Sequence, residues 1–87
     1  MRHCYVYLLL SDDGPECRTY VGWTTDLAAR LSAHNEGRGA KFTRGRAWRL
    51  IYAEKFLTRG DAMSREWRLK RDRKFRAEIT ESCRESG

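Results

Sequence analysis

Two tyrosines stand where a predicted hairpin would bring their hydroxyl groups together. The runs Tyr5–Leu10 and Cys17–Gly22 flank a polar stretch rich in turn formers, which predicts two antiparallel strands. If the turn is centred between residues 13 and 14, Tyr7 lies opposite Tyr20 on one face of the sheet. The two phenols would therefore converge on one patch of the sheet. The alternative is a tyrosine pair that only packs.

The same register has consequences for a glycine and for the cysteines. Tyr5 lies opposite Gly22, and the glycine leaves room for another molecule to approach. Cys4 lies opposite residue 23, so we expect Cys4 and Cys17 to stay apart. The three cysteines are odd in number and show no CxxC spacing, which disfavours a disulfide framework or zinc site and favours a reducing cytoplasm.

A predicted helix over residues 26–36 carries two further candidates. Thr24 to Asp26 offers capping side chains, and a glycine follows the last helical position. Arg30 and His34 are four positions apart, so they lie one above the other on the helix. We expect them to form a cationic edge beside the apolar side that packs on the sheet. The alternative is a surface arginine with a half-buried histidine.

Glu66 lies in a second predicted helix, from about Gly60 to Arg73, that starts in the style of a capping box. Its predicted buried side consists of Ala62, Met63, Trp67 and Leu69. The carboxylate of Glu66 lies at the margin of this side, where a charge is costly without a partner. Lys70 can supply a helical ion pair of ~0.3–0.5 kcal/mol, and a divalent metal is the alternative partner.

Residues 38–46 combine cations, glycines and an aromatic side chain in a predicted loop. Glycines let the backbone approach a ligand, cations meet phosphates, and an aromatic ring can stack on a base. The predicted nucleic-acid-binding residues are Arg38, Lys41, Phe42, Arg44, Arg46 and, from the second helix, Lys70. The alternative is a flexible basic loop that binds nothing specific.

The charge of the 87-residue chain is unevenly distributed. The net charge is +6, but residues 1–37 carry −2, residues 38–76 carry +10 and residues 77–87 carry −2. A basic middle that is rich in arginine favours a polyanion partner such as nucleic acid over a surface charged only for solubility. We find no apolar run of about 18 residues and no signal peptide, so no membrane partner is expected.

The remaining patterns predict the fold. A third strand over Trp48–Phe56 has one face formed by Trp48, Leu50 and Tyr52. A short third helix runs from Phe75 to Gly87, with Phe75 and Ile79 at one edge of the core. We predict an α+β fold in which helices flank a three-stranded antiparallel sheet, the hairpin followed by the third strand. Residues 1–76 form the domain and residues 77–87 a helical C-terminal extension.

An ordered set of residues resembles the GIY-YIG nuclease superfamily. The two signature triplets correspond to Tyr5-Val6-Tyr7 and Tyr20-Val21-Gly22. The resemblance continues through Thr24 to Leu27, Arg30, His34-Asn35, Gly37 to Thr43 and Glu66, and covers roughly residues 4–74. The chain is most similar to small stand-alone members, and also to the catalytic domain of structure-specific endonucleases that cut branched DNA.

The resemblance implies a metal-dependent endonuclease that hydrolyses DNA phosphodiester bonds, at branched or damaged DNA in repair or recombination. By position, Tyr7 would be the base, Tyr20 would orient a phosphate or a water, and Arg30 would hold the scissile phosphate. His34 would shuttle a proton, and Glu66 would hold Mg²⁺ or Mn²⁺.

Two departures from the family pattern bear on activity. Tyr5 stands where the family usually has glycine, and the asparagine that many members carry some dozen residues beyond the glutamate is absent. Turnover is therefore expected to be weak or to need a partner. The rival prediction is a module that holds nucleic acid without cutting it. A subunit of a repair assembly or a homodimer is compatible with either function.

Overall fold

The computed structural model describes residues 3–12, 14 and 16–86. In chain order the elements are β1 (Cys4–Ser11), β2 (Arg18–Thr24), α1 (Leu27–Asn35), β3 (Arg49–Phe56), α2 (Arg59–Arg71) and α3 (Arg73–Ser86). A single 3-10 turn, Lys41–Thr43, interrupts the segment between α1 and β3. The predicted α+β class and its three antiparallel strands are confirmed. Gly87, the predicted end of α3, lies outside the described residues.

The apolar run of β1 explains its place at the centre of the sheet. The strand order is β2-β1-β3, and both neighbours are antiparallel to β1. Val6, Leu8, Leu9 and Leu10 are almost completely buried although they point alternately to the two faces. A strand that is apolar on both faces requires other apolar residues to pack against each face of the sheet. No helix of the described part of the chain is both long and apolar enough to cross a membrane.

Two apolar clusters provide that cover, one on each face of the sheet. On the first face Tyr7, Leu9 and Trp48 pack with Leu27 and Leu31 of α1. On the second face the strand residues pack against α2 and α3, through Ala62, Leu69, Phe75 and Ile79. The predicted contacts of Phe75 and Ile79 with the core are thus confirmed.

The predicted register of the hairpin is wrong by two residues. Tyr7 lies opposite Gly22, and Tyr20 lies opposite Leu9. The strand β1 continues to Ser11, which pairs with Arg18, so the loop is centred one residue later than predicted. A loop of this length does not fix the register in the way that a two-residue turn does.

A shift of two residues keeps the side chains on the same face, so the tyrosines still meet, but diagonally. Their ring centroids are 6.4 Å apart. Tyr5 lies opposite Thr24 and not Gly22, and Trp23 lies opposite Val6 and not Cys4. Cys4 is buried and Cys17 is exposed, and both thiols are free, as expected.

A β-bulge overturns the predicted face of β3. Leu8 pairs with Tyr52 but Leu9 pairs with Leu50, so Ile51 is an extra residue between them. Trp48 consequently packs beside Tyr7, whereas Tyr52 packs on the opposite face of the sheet. Tyr52 there donates a hydrogen bond to Glu54, which Arg65 of α2 also binds. Periodicity alone does not reveal such an insertion.

The helix starts follow the capping pattern of the sequence. Asp26 accepts a hydrogen bond from the amide of Ala29, and Thr58 accepts one from the amide of Asp61. The α1 helix ends beside Gly37, whose φ of 79° is a left-handed conformation that glycine adopts without strain.

The predicted buried side of α2 is half wrong. Ala62 and Leu69 are fully buried, but Met63 is 47% and Trp67 58% exposed. Ala62 and Leu69 are seven positions apart and therefore lie on one line along the helix, so the buried stripe is narrow. Met63 and Trp67 lie outside this stripe. Arg71 covers Trp67, with its guanidinium carbon 3.8 Å from the ring centroid.

Candidate functional site

A chain of three hydrogen-bonded side chains lies at the centre of the site. The hydroxyl oxygen of Tyr7 is 2.9 Å from Nε2 of His34. On the other side of the imidazole, Nδ1 is 2.8 Å from Oγ1 of Thr43. Thr43 in turn donates to the carbonyl oxygen of Ala40, at 2.8 Å. The three side chains are almost completely buried, so these bonds are shielded from water.

The last of these bonds defines the protonation of the histidine. The hydroxyl hydrogen of Thr43 is used on Ala40, so Oγ1 can only accept from His34. Nδ1 therefore carries the ring proton, and Nε2 accepts the hydroxyl hydrogen of Tyr7. Burial, reinforced by the Arg30 charge, lowers the pKa of His34 and keeps this neutral form. The predicted cationic edge of α1 is thus wrong for His34 and holds for Arg30 alone.

Three residues to which the sequence assigned no role position the histidine. Asn35 binds the backbone of Trp48 twice, donating to its carbonyl oxygen at 3.0 Å and accepting from its amide at 2.6 Å. The indole of Trp48 donates to the carbonyl oxygen of Thr43 at 2.8 Å. Gly39 lies so close to the imidazole that a Cβ atom there would collide with Nδ1. The sequence signals that could have indicated this support are a side-chain amide, an indole donor and a glycine, all close in sequence to His34.

Tyr20 and Phe42 form the aromatic wall of the site. The Tyr20 ring lies 5.0 Å from the His34 ring and is stacked with Phe42 at 6.3 Å. Phe42 is 52% exposed, and it lies on the 3-10 turn rather than on a flexible loop. The guanidinium carbon of Arg18 lies over the Phe42 ring, 5.7 Å from its centroid, so this half-exposed ring is held among aromatic and cationic neighbours.

Arg30 and Glu66 bring opposite charges to the two phenols. Burial is the main reason why the pKa values of Tyr7 and Tyr20 are raised. The charge of Arg30 lowers the pKa of both phenols, and the charge of Glu66 raises it. Both charges are therefore near enough to act on the two hydroxyl groups. The structure therefore brings Tyr7, Tyr20 and His34 into contact, and Arg30 of α1 and Glu66 of α2 are near enough to affect the pKa values of the phenols.

Glu66 is also the one predicted metal ligand. Its side chain is 21% exposed, and the Nζ atom of Lys70 lies 3.7 Å from Oε2, so the predicted ion pair is present but long. The described residues contain no group of three or more histidine, cysteine or acidic side chains placed to hold a metal ion. Mg²⁺ prefers oxygen ligands and keeps several waters, so a single carboxylate fits it.

The predicted nucleic-acid-binding cations divide into two groups. Arg46 donates to Oγ of Ser11 at 3.0 Å and to the carbonyl oxygen of Glu16 at 2.6 Å, so it ties its segment to the end of the hairpin. Arg38 forms an exposed ion pair with Glu36 at 3.0 Å, which contributes little. Lys41 and Arg44 are exposed.

Comparison with known proteins finds a matching family model and similar sequences. A family model described as the GIY-YIG catalytic domain matches residues 3–78. A UPF0213 protein of Streptococcus pneumoniae is 46% identical over 71 residues, which are 80% of this chain and 69% of the relative. A UPF0213 protein of Bacillus velezensis is 43% identical over 84 residues, which are 94% of this chain and 82% of the relative.

A solved structure is also similar. The solution NMR structure of a UPF0213 protein from Bacillus halodurans matches with a TM-score of 0.51 and 36% identity, over 91% of this chain and 83% of that one. The resemblance carried by the two tyrosine triplets is confirmed by these matches. The chain belongs to the GIY-YIG catalytic domain family, a nuclease-type domain.

Proposed function

We propose that this protein is a metal-dependent endonuclease that hydrolyses phosphodiester bonds in DNA. The observation that carries the proposal is the buried chain Tyr7–His34–Thr43, which lies beside a guanidinium and a carboxylate. A tyrosine pair that only packs has no need of a neutral histidine held to accept the hydroxyl hydrogen of one ring.

The proton of the attacking water has a continuous path. As the water oxygen bonds to phosphorus, its proton passes to the oxygen of Tyr7, and the hydroxyl hydrogen of Tyr7 passes to Nε2 of His34. The imidazole becomes a cation, and Thr43 holds its Nδ1–H in place. No free phenolate is needed, which matters because burial raises the pKa of Tyr7. The bond from phosphorus to the leaving oxygen breaks, and that oxygen takes a proton from solvent.

The charge that develops on phosphate needs compensation. Arg30 supplies a guanidinium that can bind two phosphate oxygens, and Tyr20 can orient a third polar group beside it. Glu66 would hold Mg²⁺ or Mn²⁺. A bound divalent cation supplies Lewis-acid polarisation of the phosphate and lowers the pKa of nearby phenol and water. The half-buried carboxylate of Glu66, paired only at 3.7 Å with Lys70, supports this assignment.

Branched or damaged DNA is the proposed substrate, with repair or recombination as the setting. The test is incubation of the wild-type protein with labelled flap, fork, Holliday-junction and linear duplex DNA, in Mg²⁺, Mn²⁺ or EDTA. We expect cleavage of at least one branched substrate with a divalent metal and none in EDTA. Binding without cleavage under every condition would instead establish the non-cutting module.

A further inference from the structure

A groove of about 790 Å³ lies outside the candidate site, between the edge strand β2 and α3. Its lining includes Cys17, Thr19, Arg73, Arg76, Thr80 and Arg84. The volume is within the range of ordinary ligand-binding cavities. None of the residues in this groove belongs to the hydrogen-bonded chain of the candidate site.

The groove is continuous with the candidate site. A smaller depression of about 240 Å³ is lined by Tyr20, Phe42 and Lys70 of the site region, together with Thr19 and Arg76. Thr19 and Arg76 line both spaces. A single path therefore leads from the aromatic wall along the open edge of β2 to the surface of α3.

The groove has cations available for an anion. Arg73 and Arg84 form no ion pair within the described residues, and Glu81 is the one carboxylate in the described lining. Arg76 is fixed by bonds to the carbonyl oxygens of Leu69 and Lys70. It also reaches Thr19 Oγ1 at 3.3 Å, which still leaves two of its five N–H groups free to donate.

A buried hydroxyl group adds to this chemistry. Oγ1 of Thr80 is buried and has no hydrogen-bond partner among the described residues. A buried hydroxyl without a partner costs free energy, and Thr80 is one of the residues that line the groove. The guanidinium groups of the lining suit the oxygens of a phosphodiester, and that of Arg76 is held in place.

We propose that this groove binds backbone phosphates of the nucleic-acid strand beyond the scissile bond. The inference rests on the proposed function, because the strand that leaves the candidate site is the one that enters the groove. Among the described residues the lining offers cations but no exposed aromatic ring beyond Phe42 at its entrance, so the contact is with the backbone and is independent of sequence.

The first test is the salt dependence of binding, measured in EDTA so that no cleavage occurs. A single strand of about 12 nucleotides at 3.4 Å each spans the 39 Å length of the molecule. With it, R73A/R84A should reduce the slope of log K against log salt by about 1.4, or 0.7 for each phosphate contact. A strand of about 4 nucleotides covers the candidate site alone and should bind the variant and the wild type equally.

The charge-matched control is K55A/K74A. Lys55 lies on β3, and Lys74 lies on α3 outside the groove, and both are exposed. This variant loses the same net charge, so it should keep the wild-type salt slope if the groove makes specific contacts. An equal loss of slope in both variants would show a diffuse charge effect and overturn the proposal.

The second test uses Cys17 as a reporter of what enters the groove. Its thiol is exposed in the lining, whereas Cys83 is half-buried and donates to the carbonyl oxygen of Ile51. We expect the longer strand to slow the alkylation of Cys17 by N-ethylmaleimide and to leave the alkylation rate of Cys83 unchanged. Peptide mass spectrometry measures both rates. The shorter strand should give no protection, and R73A/R84A should lose it.

The outcomes separate the groove from the function on which it rests. A wild-type protein that binds neither strand overturns both proposals. A wild-type protein that binds the longer strand with Cys17 unprotected, or with an unchanged slope in R73A/R84A, overturns the groove alone. Reduced slope together with length-dependent protection establishes it.

Discussion

The phenol of Tyr7 lies across the backbone of Gly22, in the space that a Cβ atom would occupy. The two residues are direct partners in the β1–β2 ladder, and an added Cβ would collide with the hydroxyl oxygen and with Cζ. The glycine thus makes room for a residue of the protein itself and not, as the sequence suggested, for an approaching ligand. It allows the hydroxyl to reach His34.

Gly22→Ala should therefore displace the Tyr7 ring. We expect a loss of about 1–3 kcal/mol in the free energy of unfolding, measured in urea, because the site is already packed. Nuclease activity should fall as well, since the bond to His34 is disturbed. Gly60→Ala is the control: a Cβ there meets nothing within 4 Å, and alanine favours the helix. Equal stability of the two variants would contradict the packing argument.

Substitution of each tyrosine by phenylalanine separates proton transfer from packing. Tyr7→Phe removes the hydrogen bond to His34 and should cost about 1 kcal/mol of stability. A role as base implies a fall in cleavage rate on the order of 10²-fold or more. Tyr20 makes no hydrogen bond through its hydroxyl within the described structure, so Tyr20→Phe should leave stability unchanged and slow cleavage to a lesser or similar degree. If both variants cut at the wild-type rate, the tyrosines are structural.

Glu66→Gln should abolish metal-stimulated cleavage and leave DNA binding largely intact. The change removes the charge that would hold the cation, and the long ion pair with Lys70 contributes only a few tenths of a kcal/mol. Cleavage by this variant at the wild-type rate would make Glu66 a simple partner of Lys70. The measurement is the cleavage rate of each protein as a function of Mg²⁺ concentration.

Glu54→Gln is the matched carboxylate control for that experiment. Burial would raise the pKa of Glu54, but bonds from Arg65 and Tyr52 together with the Arg65 charge lower it. The substitution should cost about 1–3 kcal/mol of stability, because Arg65 loses a charged acceptor. Its metal dependence should stay that of the wild type.

The stability of the fold should fall as the pH is lowered through the titration of histidine. Burial and the charge of Arg30 lower the pKa of His34 in the folded protein. The contribution of His34 to the free energy of unfolding is therefore complete above its pKa in the unfolded chain, about 6.5. Below that pH the unfolded chain binds a proton that the folded chain does not, so the contribution is lost as the pH falls through the lowered folded pKa. Urea unfolding between about pH 7.5 and 5 measures this.

His34→Gln should flatten that pH dependence, and His3→Gln, which removes the only other histidine of the sequence, should preserve it. If His34→Gln does not fold, Thr43→Val is the second variant. It leaves Nδ1–H without its acceptor and should destabilise the neutral ring by about 1–3 kcal/mol. An unchanged pH profile in a folded His34→Gln protein would contradict the assigned state of the ring.

The cations of residues 38–46 should not behave alike. Arg38, Lys41 and Arg44 are exposed, so their replacement by alanine should reduce the salt slope of duplex binding by about 0.9 for each phosphate that the variant no longer neutralises. Arg46→Ala should instead lower stability, because it releases the bonds to Ser11 and Glu16. An unchanged slope in the triple variant would remove this segment from the binding surface.

Local patterns were sufficient for the starts of the first two helices and for the pairing of Arg30 with His34 on one helix. The caps at Asp26 and Thr58 and the one-turn spacing of Arg30 and His34 depend on neighbours in the chain, so the sequence predicts them. The family resemblance added Glu66 to the same set, and the structure brings it near the two phenols.

Tertiary structure decided how those residues are used, because the deciding partners are distant in sequence. The register that sets Tyr7 against Gly22 depends on packing on both faces of β1, and the bulge that separates Trp48 from Tyr52 depends on pairing with Leu8 and Leu9. The burial of His34 and its bond to Thr43 turn a predicted cation into a neutral proton acceptor. A histidine acquires that state only when the fold removes water and supplies both of its partners.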